Sequence, residues 1–255
     1  MNFRASVKYG TLKGLRYKAN TFSWFLADIA LYSSVIVMYL FLSSAFDSFG
    51  VYSKRELGLY ISTYFIVNNL FAVFFSEAVS QYGKSVLDGS FSYFQLTPPG
   101  ALRSHIMLNF NFPAMLSTPF LFIMNIYFVA KLFSSPIQIF FYYLGIFSAC
   151  ATMLFVFQSI TALLLFGIRS SAIGSCIMQL FSIAEKPDTV FHPTFRKIFT
   201  FVIPAFVFSA VPSRIILGTI SVFETIYLCL SPVIFYALFR VLEHIGFKKY
   251  QHSGF

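Results

Sequence analysis

Long stretches with at most one charged side chain recur along this chain. Residues 22–45 contain only Asp28, residues 57–80 only Glu77, and residues 218–239 only Glu224. Residues 106–130 and 137–167 contain no charge at all. A hydrocarbon layer about 30 Å thick is crossed by roughly 20 apolar helical residues. Inside that layer each backbone N–H and C=O must be satisfied without water, which selects helices. Only 11% of the residues are charged and 58% are hydrophobic, against about 25% charged in soluble domains. So few charges cannot cover a soluble surface. An ordinary soluble enzyme, a disordered chain and a disulfide scaffold are excluded. The longest polar stretch, residues 81–105, is too short for a soluble domain, so residues 1–255 read as one membrane domain.

Residues 1–20 carry Arg4, Lys8, Lys13, Arg16 and Lys18 and no acid. They read as a basic amphipathic helix lying on the cytoplasmic face, with Gly10 and Gly14 interrupting the pattern. Two apolar runs differ from the rest. Residues 172–184 and 198–211 are too short for ordinary spans, and Pro187, Pro193, Pro204 and Pro212 punctuate the region. The expectation is a fifth span followed by a re-entrant pair of short helices within residues 185–214. The fold class is therefore an all-α membrane protein with six transmembrane helices. A topology with both termini inside places 11 of the 18 Lys and Arg on the inner side, as the positive-inside rule requires. The net charge of +9 then suits anionic headgroups and not nucleic acid.

Motifs for catalysis are missing. Gly83-Lys84-Ser85 resembles the tail of a phosphate loop, but the early glycine position is Ala78 and no strand precedes it. The four histidines are scattered, and Cys150, Cys176 and Cys229 sit singly in apolar runs. Neither a catalytic nor a metal-ligating set emerges. Asp28, Glu77 and Glu224 lie in apolar segments, where acids are costly and default to functional candidates. Asp28 and Glu77 can pair with basic residues such as Arg16 or Arg103. Glu224 can line a path or pair with Arg214. In residues 81–105, Phe91, Phe94, Leu96 and Leu102 can form one apolar face of a short cytoplasmic helix, of the kind that presses into a partner's groove.

Two blocks resemble the permeases of ABC-2 type transporters, in the branch of six-span bacterial permeases. In the first, Val86, Gly89, Phe91, Leu96, Pro98 and Leu102 match the pattern I-R-x-G-x-L-D-x-x-L-L-R-P-x-x-P-L, with Leu87, Ser92 and Thr97 in place of its charged residues. The second block runs from Pro187 through Phe199-Thr200, Ile203-Pro204 and Pro212 to Leu217-Gly218. The resemblance implies a permease subunit of an ATP-driven exporter in the bacterial inner membrane, with both termini cytoplasmic. It implies a second permease chain, identical or sister. It also implies separate ATP-binding subunits that hold the ATP and Mg and dock on residues 81–105, so the chain itself needs no cofactor and is not an enzyme. Gly89, Phe91, Phe94, Leu96, Pro98 and Leu102 then become coupling residues, and Asp28, Glu224, Pro204 and Pro212 become pathway or gating residues. The alternative is a membrane scaffold that docks partners through the same loop and transports nothing.

Overall fold

A computed structural model describes residues 3–45, 52–96, 102, 105, 106, 110–132 and 135–252. Among them every extended element is helical: α1 (Phe3–Arg16), α2 (Lys18–Ala45), α3 (Lys54–Phe71), a π-helical segment (Ala72–Ser76), α4 (Glu77–Leu87), α5 (Phe91–Leu96), α6 (Phe112–Ala130), α7 (Pro136–Ala162), α8 (Ser170–Glu185), α9 (Pro193–Phe201), α10 (Ala210–Leu217) and α11 (Val222–His252). Among the described residues five helices are long and apolar enough to cross a membrane: Lys18–Tyr39, Lys54–Leu87, Phe112–Ala130, Pro136–Phe166 and Val222–Tyr250.

Helix starts follow local chemistry. At Ser53 the backbone N–H donates to the Glu56 carboxylate at 2.7 Å. Ser135 N–H donates to the Gln138 side chain at 3.0 Å, and Ser221 N–H to the Glu224 carboxylate at 2.9 Å. Each is the S-x-x-E/Q arrangement that satisfies orphan N–H groups at a helix start. All three occur at one end of the bundle, here the Lys54 end. The opposite end, where α4, α7 and α11 finish, is the Gly89 end.

Several boundaries differ from the sequence expectation. The second span does not stop at residue 80. It continues through α4 to Leu87, because no proline occurs before Asp88-Gly89, and the 34-residue run is about 50 Å long. It is therefore longer than a hydrocarbon core of about 30 Å is thick. The last span begins at Val222, not 218, and runs on to His252. Glu224 thus lies in the first turn of α11 and not two turns inside it. In the place of the expected fifth span, α8 has only 16 residues, about 24 Å of helix.

Packing runs α2 on α6, α6 on α3, α3 on α7 and α7 on α11. The glycines of α1 serve close approach. A Cβ at Gly10 would lie 2.7 Å from the Phe110 carbonyl oxygen, and one at Gly14 would lie 2.4 Å from the Phe112 ring. Their i, i+4 spacing puts both on one helix face, so the apparent interruptions in the amphipathic pattern are its contact surface. The Thr21 hydroxyl donates to the Gly14 carbonyl at 2.8 Å and ties α1 to α2.

The expected pair of short helices is present as α9 and α10. Between them Ala205–Phe208 forms a 3-10 turn in which every residue is buried. Phe208 meets Phe157 of α7 at 6.0 Å, and Phe157 meets Phe71 at 5.2 Å and Phe181 at 4.9 Å. Irregular backbone is tolerated in an apolar bundle where protein surrounds it.

Candidate functional site

Three polar constellations and two cavities stand out. The first constellation lies at the Gly89 end. Asp88 ends α4, and Gly89 adopts φ +82, a left-handed conformation that favours glycine. The Asp88 carboxylate accepts from the Ser90 N–H at 2.9 Å and the Ser90 hydroxyl at 2.6 Å, and these bonds hold its pKa below the ordinary value. The turn aims Phe91 back into the protein. Its ring, fully buried, packs on Tyr82 at 5.2 Å, Phe247 at 5.7 Å and Tyr250 at 6.0 Å. Tyr82 donates to the buried Glu243 carboxylate at 3.2 Å, and the Arg240 guanidinium donates to the other oxygen at 2.7 Å. The Tyr250 hydroxyl donates to the Val86 carbonyl at 3.3 Å. His105 lies 4.4 Å from the Phe94 ring, and burial pushes its pKa down.

The expected single apolar face is therefore divided. Phe91 points inward, and Phe94 and Leu102 pack partly against the same cluster. Leu96 points outward and is 83% exposed, beside Tyr93 at 69% and Leu87 at 63%. The physical reason is the tight Gly89 turn: in a six-residue helix that starts directly after it, the first ring fills the gap between α4 and α11. Pro98 lies outside the described residues. Tyr82, Glu243, Phe247 and Tyr250 were not singled out from the sequence. Glu243 did carry a signal, as the one acid in a basic tail.

The second constellation runs through the interior. The Ser117 hydroxyl donates to Asp28 at 3.2 Å and receives the Asn69 amide at 3.0 Å, while Thr118 donates to Asn69 at 2.7 Å. Further along, Asn125 donates to Ser62 at 3.0 Å and to Tyr142 at 2.6 Å. Of the expected basic partners of Asp28, Arg103 lies outside the described residues, and among the described residues no Lys or Arg forms an ion pair with it. It ties α2 to α6 through a hydroxyl. Glu77 accepts from Gln81 one turn on, at 2.7 Å.

The third lies at the Lys54 end. Arg214, nearly buried, bridges the fully buried Asp188 and Glu224. Tyr52 donates to the other Asp188 oxygen at 2.9 Å, and Arg196, half exposed, stands 3.8 Å away. Burial and the adjacent Asp188 charge raise the Tyr52 pKa. Nearby, the Tyr60 hydroxyl meets the carbonyls of Ala184 and Lys186 at 2.8 and 2.6 Å, and the Ser209 hydroxyl at 2.9 Å. These bonds fasten the segment between α8 and α10 to α3. Glu224 is thus held by Arg214, one of the two roles open to it. Pro204 and Pro212 are both buried and flank the 3-10 turn.

An apolar cavity of about 380 Å³ lies beside Pro204, between α7, α8, α9 and α11, lined by Val156, Leu180, Phe199, Ile203 and Phe235. A second cavity, at the Gly89 end, has two basic residues on its wall.

The π-helical segment connects the first constellation to the spans. In a π turn the i→i+4 ladder is broken and a carbonyl is freed. The Val73 carbonyl accepts from the Asn111 N–H at 3.0 Å, immediately before α6. Both ends of the polypeptide between α4 and α6 are therefore attached to the second span.

No curated protein and no solved structure matches the chain. A family model does: the one described as ABC-2 family transporter protein, over residues 29–254. A bundle of apolar spans with that match along nearly its whole length makes the chain a multi-pass membrane permease that belongs to the ABC-2 transporter family.

Proposed function

We propose that this chain is the permease subunit of an ATP-driven exporter in the bacterial inner membrane. Separate subunits bind ATP and Mg and dock at the Gly89 end, which faces the cytoplasm together with both termini. A second permease chain, identical or sister, completes the path. The chain crosses six times, and α8 makes the short fifth crossing. Support for that crossing comes from its ends: Ile173 packs in the cluster of Tyr82 and Phe239 at the Gly89 end, while the Ala184 carbonyl meets Tyr60 at the Lys54 end.

The observation that carries the reading is the division of labour in α5. Leu87, Tyr93 and Leu96 present apolar surface outward, while Phe91 anchors the same element to α4 and α11. A push on the outer face reaches Tyr82 through Phe91, and Glu243 through the Tyr82 hydroxyl. It reaches the second span at the π segment through Asn111 and Val73. The arrangement suits a lever, because the anchored ring sits between rigid helices and resists compression. Residues 185–214 form the outer gate, held shut by Arg214, with the cavity beside Pro204 as the space into which it moves.

The test is co-purification of ATPase subunits with charged variants. Leu96→Glu and Tyr93→Glu are expected to insert normally and to lose the ATPase, with ATP-dependent cargo movement abolished in vesicles. Retention of ATPase and of movement at native levels in both variants overturns the docking assignment. Retention of ATPase by the native chain with no ATP-dependent movement of any cargo favours the scaffold instead.

A further inference from the structure

The second cavity, of about 360 Å³, opens at the Gly89 end where α4, the α7–α8 junction and the end of α11 meet. Its size is that of an ordinary small-molecule site, roughly 300–1,000 Å³. One part of its wall is apolar: Val86, Leu87, Leu164, Leu165, Phe166 and Ile168. The other part carries Arg169, Ser170, Lys249 and Tyr250. Arg169 is exposed and forms no ion pair among the described residues. Lys249 stands 5.9 Å over the Phe166 ring. Asp88, the acid next along the chain from Leu87, has its carboxylate turned to Ser90.

Position narrows the ligand. Arg169 follows directly on the apolar helix Pro136–Phe166, and Lys249 is at the last turn of Val222–Tyr250. Both charges therefore sit at the ends of long apolar helices, and basic pockets between helices at a membrane surface suit anionic lipid heads. A free anion would use the two cations and leave the apolar wall bare. A phosphodiester with acyl chains attached uses both walls.

We propose that this cavity is a binding site for an anionic phospholipid, with Arg169 and Lys249 on its phosphate and the Leu164–Phe166 wall along the start of its chains. The occupant touches Val86 and Leu87, so it braces the end of α4. It thereby joins the three elements that hold the Gly89 turn in place.

Native mass spectrometry of the purified full-length chain tests the site, with phosphatidylglycerol and phosphatidylethanolamine titrated separately. The native chain is expected to retain phosphatidylglycerol in preference. Near a membrane surface each basic residue contributes roughly fivefold in affinity, so Arg169→Gln weakens retention about fivefold and the double variant with Lys249→Gln about thirtyfold. A control with the same charge change, Lys8→Gln with Lys84→Gln, is expected to leave it unchanged. Arg169 has no internal acid partner, so its replacement leaves folding intact, which a monodisperse elution profile verifies. Equal retention of the two lipids, or equal weakening in the control, overturns the site. Displacement of the lipid by millimolar inorganic phosphate overturns the lipid assignment in favour of a free anion.

Discussion

Removing Arg214 leaves a buried carboxylate without its main counter-charge. Asp188 is fully buried, and among the described residues it has, besides Arg214, only the Tyr52 hydroxyl at 2.9 Å and Arg196 at 3.8 Å. Arg196 is 44% exposed, so solvent screens it and its compensation is below about 1 kcal/mol. Glu224 suffers less, because the Ser221 N–H still holds it at 2.9 Å. Breaking a buried pair by deleting one partner costs about 3–5 kcal/mol. Arg214→Met is therefore expected to lose about 3 kcal/mol of stability, the low end because Glu224 keeps a partner. Adding Asp188→Asn removes the stranded charge while the new amide oxygen still accepts from Tyr52. The double variant should then recover about 1–2 kcal/mol relative to the single. Denaturant titration in detergent, followed by circular dichroism, measures both. A single variant within about 1 kcal/mol of the native protein, or a double variant less stable than the single, refutes the claim that Arg214 neutralises Asp188.

Three further outcomes are expected. Phe91→Ala empties the space between Tyr82 and Tyr250 and costs about 3 kcal/mol; proteolysis should then cut within residues 88–96, and native-like protection there refutes the anchor. His105, packed against Tyr82, Phe94 and the loop of Asp88, has a folded-state pKa depressed below 6.5. The unfolded chain takes the proton more readily, so stability is full above pH 6.5 and falls as pH drops below it. Hydrogen exchange of residues 88–96 should quicken below that pH in the native chain and not in His105→Gln. At Gly58 a Cβ would lie 2.2 Å from the Phe128 ring, so Gly58→Ala forces α3 from α6 at about 1–3 kcal/mol, and adding Phe128→Leu should restore stability in the same titration.

Much of the architecture is legible before any coordinates. The spans follow from charge depletion, and the short broken helices follow from Pro187, Pro193, Pro204 and Pro212. Other boundaries are written in the sequence too. The S-x-x-E/Q pattern at Ser53, Ser135 and Ser221 marks three helix starts, and it places Glu224 in a first turn, where its carboxylate caps N–H groups. The extension of the second span to Leu87 was hidden by Gln81, Lys84 and Ser85, which read as the start of a polar loop. In the folded protein Gly83 lets α4 lie close to Thr161 and Leu164 of the neighbouring helical segment.

The amino-acid sequence by itself determined that the protein lives in a bilayer, because too few charges exist to cover a soluble surface and backbone in hydrocarbon must be helical. Its two motif blocks pointed to the family. Only the tertiary structure decided which groups act together. Phe91 and Leu96 look alike along the chain, yet one is sealed against Tyr82 and the other faces outward. Tyr82 and Glu243 are 161 residues apart, and Arg214 chose Asp188, 26 residues away, as well as the nearer Glu224. In a medium of low polarity a buried charge or hydroxyl must find a partner wherever the packing supplies one, and sequence spacing carries no record of that geometry.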